Sequence, residues 1–430
     1  MLGRFLHRIG ALGPAFQAML VSDSLSISAM MVGHVALAWW IAQQGGGADL
    51  ALYAGILAVG ALVFLALLSP LGDRYCKRTL MTVSLAIQGS AAAILAMLAH
   101  SGAYHLPFII AADLLGTAAS CLYAPASASI VAELLPADQL TTGLGMQKSG
   151  QALGRLLGPS LGGAVLAALG TSATLGLYAL LMGVSAALTL RIPRRPSTGS
   201  ALGPTAWLRD IRAGLAAKWH IKVERWWTLV TFLFAIFLFP CIGMLLPLKI
   251  QSLGLSSVWL GSCEAALSAG MVIGALGLSA RLARRAGRFA AYTVAVVVIG
   301  LCFSTIGASH RPVVLLGALA LCGLCVSTTQ LVGQTHRMLA IPPSFRARMT
   351  SVHIMVMQVA ATIGPAVGGA GLNHLGVDGV YMLFGFAMLL TAIGYALAPG
   401  YRPFISLSHD MVDGYYGRTY PQLFEPQRFG

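Results

Sequence analysis

The chain has 430 residues, of which 57% are hydrophobic and 9% are charged, and its mean hydropathy is +0.80. Soluble domains carry roughly 25% charged residues, so this composition excludes an ordinary soluble protein and indicates a multi-pass membrane protein. The net charge of +14 would suggest a nucleic-acid partner in a soluble protein. In a membrane protein it is better explained by basic residues in the cytoplasmic loops, and we expect no nucleic-acid partner.

The apolar segments of the chain follow one another with one long polar interruption at residues 191–226. A membrane-spanning helix needs ~20 mostly apolar residues, which gives about twelve candidate spans, six on either side of that interruption. The sequence therefore predicts an all-α integral membrane protein with about twelve transmembrane helices in two six-helix halves. The predicted regions are an N-terminal half at 1–190, a cytoplasmic linker at 191–226, a C-terminal half at 227–398 and a cytoplasmic tail at 399–430.

Lysine and arginine are distributed unevenly between the two sides of these spans. If the N-terminus is cytoplasmic, the linker arginines and the cluster at 281–288 are also cytoplasmic, and the opposite side keeps Lys249 and Arg311. This asymmetry places both termini inside. The second part of the linker is a basic amphipathic helix with tryptophans, which suits the anionic lipids of the inner membrane face. The tail is polar and aromatic without clear periodicity, and we expect it to be poorly ordered.

The loop between the second and third spans places one acidic residue among basic ones. It contains Gly72, Asp73, Arg74, Lys77 and Arg78. A helix N-terminus of the other half, together with Arg74, could hold the Asp73 carboxylate as a latch that closes the inner side. The alternative is a charge cluster that only sets topology. The corresponding loop of the second half is basic but lacks the aspartate, and the pair of loops indicates an internal repeat.

Two glycine-rich stretches lie at matching places in the two halves. GRLLGPSLGG in the fifth span and IGPAVGG in the eleventh combine glycines with a proline, which is poor helix material in water. In a membrane, small residues let helix backbones approach closely. We therefore predict one gating helix in each half. The predicted gating residues are Gly154, Arg155, Gly158, Pro159, Gly162 and Gly163, with Gly364, Pro365, Gly368 and Gly369.

The six-plus-six layout, the charged loop and the glycine motif together resemble the major facilitator superfamily. The glycine motif is similar to the signature of its drug–proton antiporters. Further stretches, such as YAPASASIVAELLPADQL and SFRARMTSV, resemble the enterobactin-exporter and macrolide-efflux branch. The chain departs from these relatives at Ala126–Ala128 and at Ala111–Asp113, where they carry arginines. The resemblance implies export by alternating access, but it does not transfer a proton relay directly.

Ionisable residues inside the spans are expensive and therefore mark candidate functional sites. Asp23 is the first proton-coupling candidate, and His34 lies on nearly the same stripe of the first helix. The alternative for Asp23 is a packing role with its neighbouring serines. Asp113 could contact substrate or form a salt bridge to the fifth helix. Glu264 completes the proton-coupling set, and we predict that it pairs with Arg155 during the transport cycle.

A second group of polar residues is predicted to line the substrate cavity. Lys148 lies seven residues before Arg155, on the same helix face, and could attract an anionic ligand or neutralise Asp113. Gln330, Gln334 and Arg337 share a face of the tenth helix and indicate another cavity wall.

The sequence contains no phosphate-binding glycine loop, metal-ligand cluster or nucleophile–base pair. Cys322 and Cys325 lie in a continuous apolar helix, which favours core packing over a metal or redox pair. We expect no metal, no cofactor and no enzymatic activity, and an ion gradient as the energy source.

These observations lead to one favoured function and one alternative. The first is a proton-coupled exporter of a small polar metabolite in a bacterial inner membrane, with a siderophore as the favoured substrate because the branch resemblance and the mixed charges suit it. The alternative is a multidrug or macrolide exporter of the same fold. The expected partners are the small-molecule substrate, protons and membrane lipid, and a monomer is favoured.

Overall fold

The computed structural model describes residues 13–68, 75–194 and 204–424, and these are helical apart from short connections. The helices before the linker are α1 (Pro14–Leu68), α2 (Lys77–His100), α3 (Leu106–Leu134) and α4 (Ala137–Thr189). Those that follow are α5 (Pro204–His220), α6 (Lys222–Gly243), α7 (Leu245–Ser252), α8 (Ser257–Ile273), α9 (Ser279–Ala286), α10 (Arg288–Ala308), α11 (Pro312–Thr329), α12 (Thr335–Ala340) and α13 (Pro343–Leu397). The π-helical turns Gly274–Leu278 and Gln330–Gln334 join α8 to α9 and α11 to α12.

Three of these helices are too long to be single membrane crossings. α1, α4 and α13 contain 55, 53 and 55 residues, whereas ~20 helical residues already span the hydrocarbon core. Each is interrupted by a glycine with φ between 64° and 80° and extended ψ, at Gly46, Gly170 and Gly376. Glycine adopts this positive φ without a Cβ clash. The interruptions therefore act as tight turns between two consecutive crossings.

Within the described residues, nine helices are long and apolar enough to cross a membrane, and three of them contain one of these glycine turns. Counting each of those three as two crossings gives twelve (nine plus three). This number is consistent with the predicted count of about twelve crossings, and the chain is an all-α, multi-pass membrane protein.

The described residues divide into two compact units. The first comprises residues up to 194 together with Ile250–Ala265, and the second comprises 204–249 and 266–424. In the first unit, α1 and α4 supply a core that includes Val32, Val35 and Leu175, each fully buried. In the second, Tyr381 of α13 stacks on Phe303 of α10 and donates a 2.7 Å hydrogen bond to the carbonyl of Cys241 in α6.

The described part of the tail belongs to the second unit and packs within it. It forms the short helices α14 (Tyr401–Ser406), α15 (His409–Val412) and α16 (Tyr415–Thr419). Five of its apolar or aromatic side chains are buried: Tyr401, Phe404, Ile405, Val412 and Tyr416. The prediction of a poorly ordered tail was therefore wrong for residues 401–424. Its aromatic residues bury enough area to order helices that are too short to show a clear periodicity.

Candidate functional site

The glycine motif of α4 lies directly against the backbone of α1. A Cβ atom on Gly154 would lie 2.7 Å from the carbonyl oxygen of Ser24, and one on Gly158 would lie 2.8 Å from that of Ser28. Gly162 continues the row, with Val32 Cα 3.0 Å from the position of its missing Cβ. This four-residue spacing forms one helix face. The sequence therefore dictates a close α1–α4 contact that larger side chains would separate.

The neighbouring glycine of the motif makes a different contact. A Cβ on Gly163 would lie 2.8 Å from the carbonyl of Ser257 and 2.9 Å from Gly261 Cα, both in α8. The motif thus packs α1 on one face and α8 on another. Pro159 is buried between these two contacts, whereas Arg155 is exposed.

The second glycine stretch has an equivalent neighbour in its own unit. Gly364 and Pro365 are buried, and a Cβ on Gly364 would overlap the carbonyl of Ile236 and lie 2.9 Å from Pro240 Cδ, both in α6. Gly368 faces Met244 and Phe384, whereas Gly369 is partly buried. Each stretch therefore packs on the first long helix of its unit. The gating role of both remains a prediction.

Asp23 lies at the centre of a buried hydrogen-bond network that joins three helices. Its side chain is 1% exposed, and its two oxygens accept four hydrogen bonds. The donors are Tyr123 at 3.0 Å and Ser127 at 2.8 Å from α3, with Gln147 at 3.1 Å and Gln151 at 2.8 Å from α4. No cation of the described residues lies within ion-pair distance of the carboxylate. Four neutral donors satisfy it and tie α1 to α3 and α4.

His34 belongs to a second network rather than to the Asp23 network. Its Nδ1 atom lies 3.6 Å from Glu264 Oε1, and the two side chains are 46% and 10% exposed. His34 is also within electrostatic range of Asp113. The Asp113 carboxylate accepts a 2.6 Å hydrogen bond from Tyr53, which is on the second segment of α1. The first unit therefore brings three of the four predicted proton-coupling residues together, on α1, α3 and α8.

The basic residues of α4 do not pair with these acids in this structure. Lys148 is exposed and donates to Gln151 at 3.2 Å, so it reaches Asp23 through an amide and does not neutralise Asp113. Arg155 forms no ion pair with a described residue. Glu264 is paired with His34, the Arg155 side chain is exposed, and the predicted Glu264–Arg155 pair is not formed in this structure.

Arg337 occupies a buried charge cluster instead of an open cavity wall. Its side chain is 2% exposed, its Nε atom donates to both oxygens of Glu224 at 3.0 and 3.1 Å, and its Nη2 atom donates to the carbonyl of Met349. Gln334 is half-buried within hydrogen-bond distance of His353, whereas Gln330 is exposed. The three residues predicted to share one wall thus have three different environments, because the π-helical turn at Gln330–Gln334 changes the helical register.

The sequence prediction missed the centre of this cluster, Glu224. Its carboxylate accepts hydrogen bonds from Lys218 at 3.0 Å, from Tyr416 of the tail at 3.2 Å and from Arg337. Burial lowers the pKa of Lys218 to about 8, although the charge of Glu224 acts in the opposite direction. Burial also raises the pKa of Tyr416 well above its ordinary value, so its phenol stays protonated and donates. Glu224 stands between Lys222 and Arg225, and an acid flanked by basic residues was a signal of the same kind as Asp73.

Part of the predicted charged loop lies outside the described residues, namely Gly72, Asp73 and Arg74. Of the remainder, Lys77 forms a 2.5 Å ion pair with Glu133, and the carbonyl of Arg78 accepts a hydrogen bond from Thr82. The ion pair ties the start of α2 to the end of α3, whereas the hydrogen bond lies within α2. The latch proposed for Asp73 stays a prediction.

Comparison with known proteins decides the family. Residues 9–309 match the Major Facilitator Superfamily. The chain belongs to this superfamily. This major facilitator is 24% identical over 402 residues to the multidrug efflux pump Tap of Mycobacterium tuberculosis, a match that covers 91% of this chain and 94% of Tap. It is 22% identical to the macrolide efflux protein A of Streptococcus pyogenes over 388 residues, with 88% and 94% of the two chains covered.

Two solved transporter structures have a fold similar to that of this major facilitator. The nucleoside transporter NupG matches with a TM-score of 0.68 at 14% identity, over 92% of this chain and 100% of NupG. A POT family transporter matches with a TM-score of 0.69 at 12% identity, over 91% and 96% of the two chains. The chain is accordingly a multi-pass membrane transporter.

Proposed function

We propose that this transporter is a proton-coupled exporter of amphipathic, drug-like molecules of the macrolide kind. It would work in a bacterial inner membrane by alternating access, with both termini cytoplasmic. The relatives that match over most of the chain are a multidrug pump and a macrolide efflux protein, which favours the alternative substrate class over the siderophore. The siderophore expectation also relied on a cavity of mixed charge, and one of its predicted cations, Arg337, is paired with Glu224 in a buried cluster.

The contact between His34 and Glu264 is the observation that supports proton coupling. An imidazole 3.6 Å from a carboxylate forms an ion pair with it when the imidazole is protonated, and histidine is the side chain best suited to gain and lose a proton near physiological pH. Asp113 adds a second carboxylate within electrostatic range, so the group holds two acids and one base. When one acid takes up a proton, the attraction of His34 to that acid falls. Protonation of Glu264 would therefore weaken the interaction between α1 and α8, and α8 is also the helix that Gly163 of the glycine motif contacts.

Asp23 has a different part in this proposal. Its four hydrogen bonds link α1, α3 and α4. To take up a proton, the carboxylate would have to release one of its donors, which ties any protonation of Asp23 to movement of α3 or α4. We assign Asp23 the role of coupling these helices, and we place the primary proton site at His34, Glu264 and Asp113.

Inside-out membrane vesicles containing the protein test the substrate class. With an imposed proton gradient, they should accumulate a radiolabelled macrolide, and vesicles without the protein should not. The same vesicles receive a labelled catecholate siderophore in parallel. Accumulation of the siderophore without the macrolide would contradict the proposed substrate. Accumulation of the macrolide that persists after the proton gradient is collapsed would contradict the proposed coupling.

A further inference from the structure

The second unit contains a basic pocket that none of the proposed transport steps uses. It has a volume of about 460 Å³ and lies among α9, α10, α12 and the tail helix α14. We call it the basic pocket. Its polar lining residues are Arg284, Arg288, Thr335, His336 and Ser406. A volume of several hundred Å³ is in the range of sites that hold small organic ligands.

The charge of the pocket is uncompensated in the described part of the chain. Two arginines line it, and none of its lining residues is acidic. Neither Arg284 nor Arg288 forms an ion pair with a described residue. Arg288 donates one hydrogen bond to the carbonyl of Leu407, which leaves its other donors available. Arg284 is exposed at the rim. An anion is the ligand that this arrangement favours.

The remaining walls define the kind of anion. Thr335 and Ser406 place hydroxyl groups in the lining, together with Arg288 at the start of α10. The rest of the lining is mostly apolar and includes Ala280, Ala283, Leu331 and Val332. Leu331 is 41% exposed, so this part of the lining continues to an apolar outer surface. A ligand that combines an oxyanion with an apolar group fits both the basic and the apolar parts of this lining.

We propose that the basic pocket binds a phosphate group carried by an anionic phospholipid or by a small soluble phosphate ester. Arginine is well suited to phosphate because its planar fork donates two parallel hydrogen bonds. Basic pockets between membrane helices are a common setting for anionic head groups. The threonine and serine hydroxyls would donate to the remaining phosphate oxygens.

Occupation of the pocket would also stabilise the docked tail. Ser406 is on α14, and Phe404 of the same helix packs edge-on against His336 with ring centroids 5.6 Å apart. Arg288 is bonded to Leu407, the residue that follows α14. A phosphate held between Arg288 and Ser406 therefore bridges α10 to the tail, and its binding should raise the melting temperature of the protein.

The test uses the purified full chain in a neutral detergent. The melting temperature is followed by tryptophan fluorescence while dioleoylphosphatidylglycerol, dioleoylphosphatidylcholine or glycerol 3-phosphate is added. We expect phosphatidylglycerol to raise the melting temperature with saturation, and phosphatidylcholine to have no such effect. Arg284→Gln should raise the half-saturating concentration about fivefold, because a basic residue near an anionic lipid contributes ~1 kcal/mol. Arg285→Gln is the matched control, since Arg285 is exposed beside the pocket but does not line it.

The results distinguish an anionic phospholipid from a soluble phosphate ester, and they show whether the proposal is wrong. Saturation by glycerol 3-phosphate with the same sensitivity to Arg284→Gln would support the pocket and assign it to a soluble ester. Ala283→Leu fills the apolar wall and keeps both arginines, so it should also weaken binding. Equal effects of Arg284→Gln and Arg285→Gln would overturn the proposal, because they would indicate general attraction to a basic surface. No stabilisation by any phosphate would overturn it as well.

Discussion

Replacement of Gly158 by alanine perturbs the close contact between α1 and α4 with a single methyl group. The new Cβ would lie 2.6 Å from Met31 Cβ and 2.8 Å from the carbonyl oxygen of Ser28. Both atoms are fixed to the main chain of α1, so a side-chain rotation cannot relieve the overlap. The helices must separate by several tenths of an ångström, and the contacts of Gly154 and Gly162 on the same row would loosen with them.

The expected magnitude follows from two opposing effects. Overpacking of this kind costs typically 1–3 kcal/mol, and immovable neighbours place Gly158→Ala near ~3 kcal/mol. Alanine recovers ~1 kcal/mol because it is the better helix former. The net loss is about 2 kcal/mol, and since domains of 150–250 residues lose ~2–4 °C for each kcal/mol, the melting temperature should fall by about 4–8 °C.

Gly176→Ala is the matched control in the same helix. Gly176 has no neighbour within 4 Å of an added Cβ and no positive φ, so this variant gains helix propensity without overlap. Its melting temperature should be unchanged or slightly higher, and its transport rate should equal that of the unaltered protein. Both variants are compared in detergent by tryptophan fluorescence and in vesicles by transport. Equal melting temperatures for the two variants would refute the argument that the glycine motif sets the α1–α4 distance.

Two further results are expected from the buried charge cluster. Glu224→Gln leaves the cations of Lys218 and Arg337 buried without a carboxylate, and it should destabilise the protein by ~3–5 kcal/mol in a melting assay. The control is Glu133→Gln, which removes the part-exposed ion pair with Lys77. It should cost at most ~1 kcal/mol in the same assay. The pKa of Lys218 is about 8 in the folded protein, below its ordinary value of ~10.4. Between these values the folded state binds fewer protons than the unfolded state, so Lys218 makes stability rise with pH across that window. Lys218→Met should reduce the rise in melting temperature from pH 8 to pH 10, and an unchanged slope would contradict the low pKa.

The fold was predictable because membrane crossing imposes a length on each apolar segment. The number of crossings could be derived from the lengths of the apolar runs, because ~20 residues already span the membrane. The close packing at the two glycine stretches could be derived from their small residues, because closely packed membrane helices need them. The turns at Gly46 and Gly170 were not foreseen individually. The breaks themselves were visible in the sequence, as GGGAD at 45–49 and GTS at 170–172 between apolar runs, but nothing in the local pattern identifies which glycine adopts a positive φ.

The site was predictable in its residue types and less so in its pairings. Isolated charges in apolar helices pointed to Asp23, His34, Asp113 and Glu264 because such charges are costly without a function. Spacing along one helix placed Asp23 with His34, but partners from other helices decide the pairing. Arg337 shows the same limit, because a π-helical turn rotates it towards Glu224, and the sequence gives no clear sign of such a turn.

In the proposed mechanism, Glu264 and His34 couple export to proton uptake. The most direct measurement is the substrate-induced pH change inside inside-out vesicles loaded with a pH-sensitive dye, in the presence of a macrolide. The unaltered protein should release protons from the vesicle lumen as substrate enters, and Glu264→Gln should abolish this flux while binding of the labelled macrolide is retained. Asp23→Asn should slow transport and leave the ratio of protons to substrate unchanged. An intact proton flux in Glu264→Gln, or its loss in Asp23→Asn alone, would contradict the account.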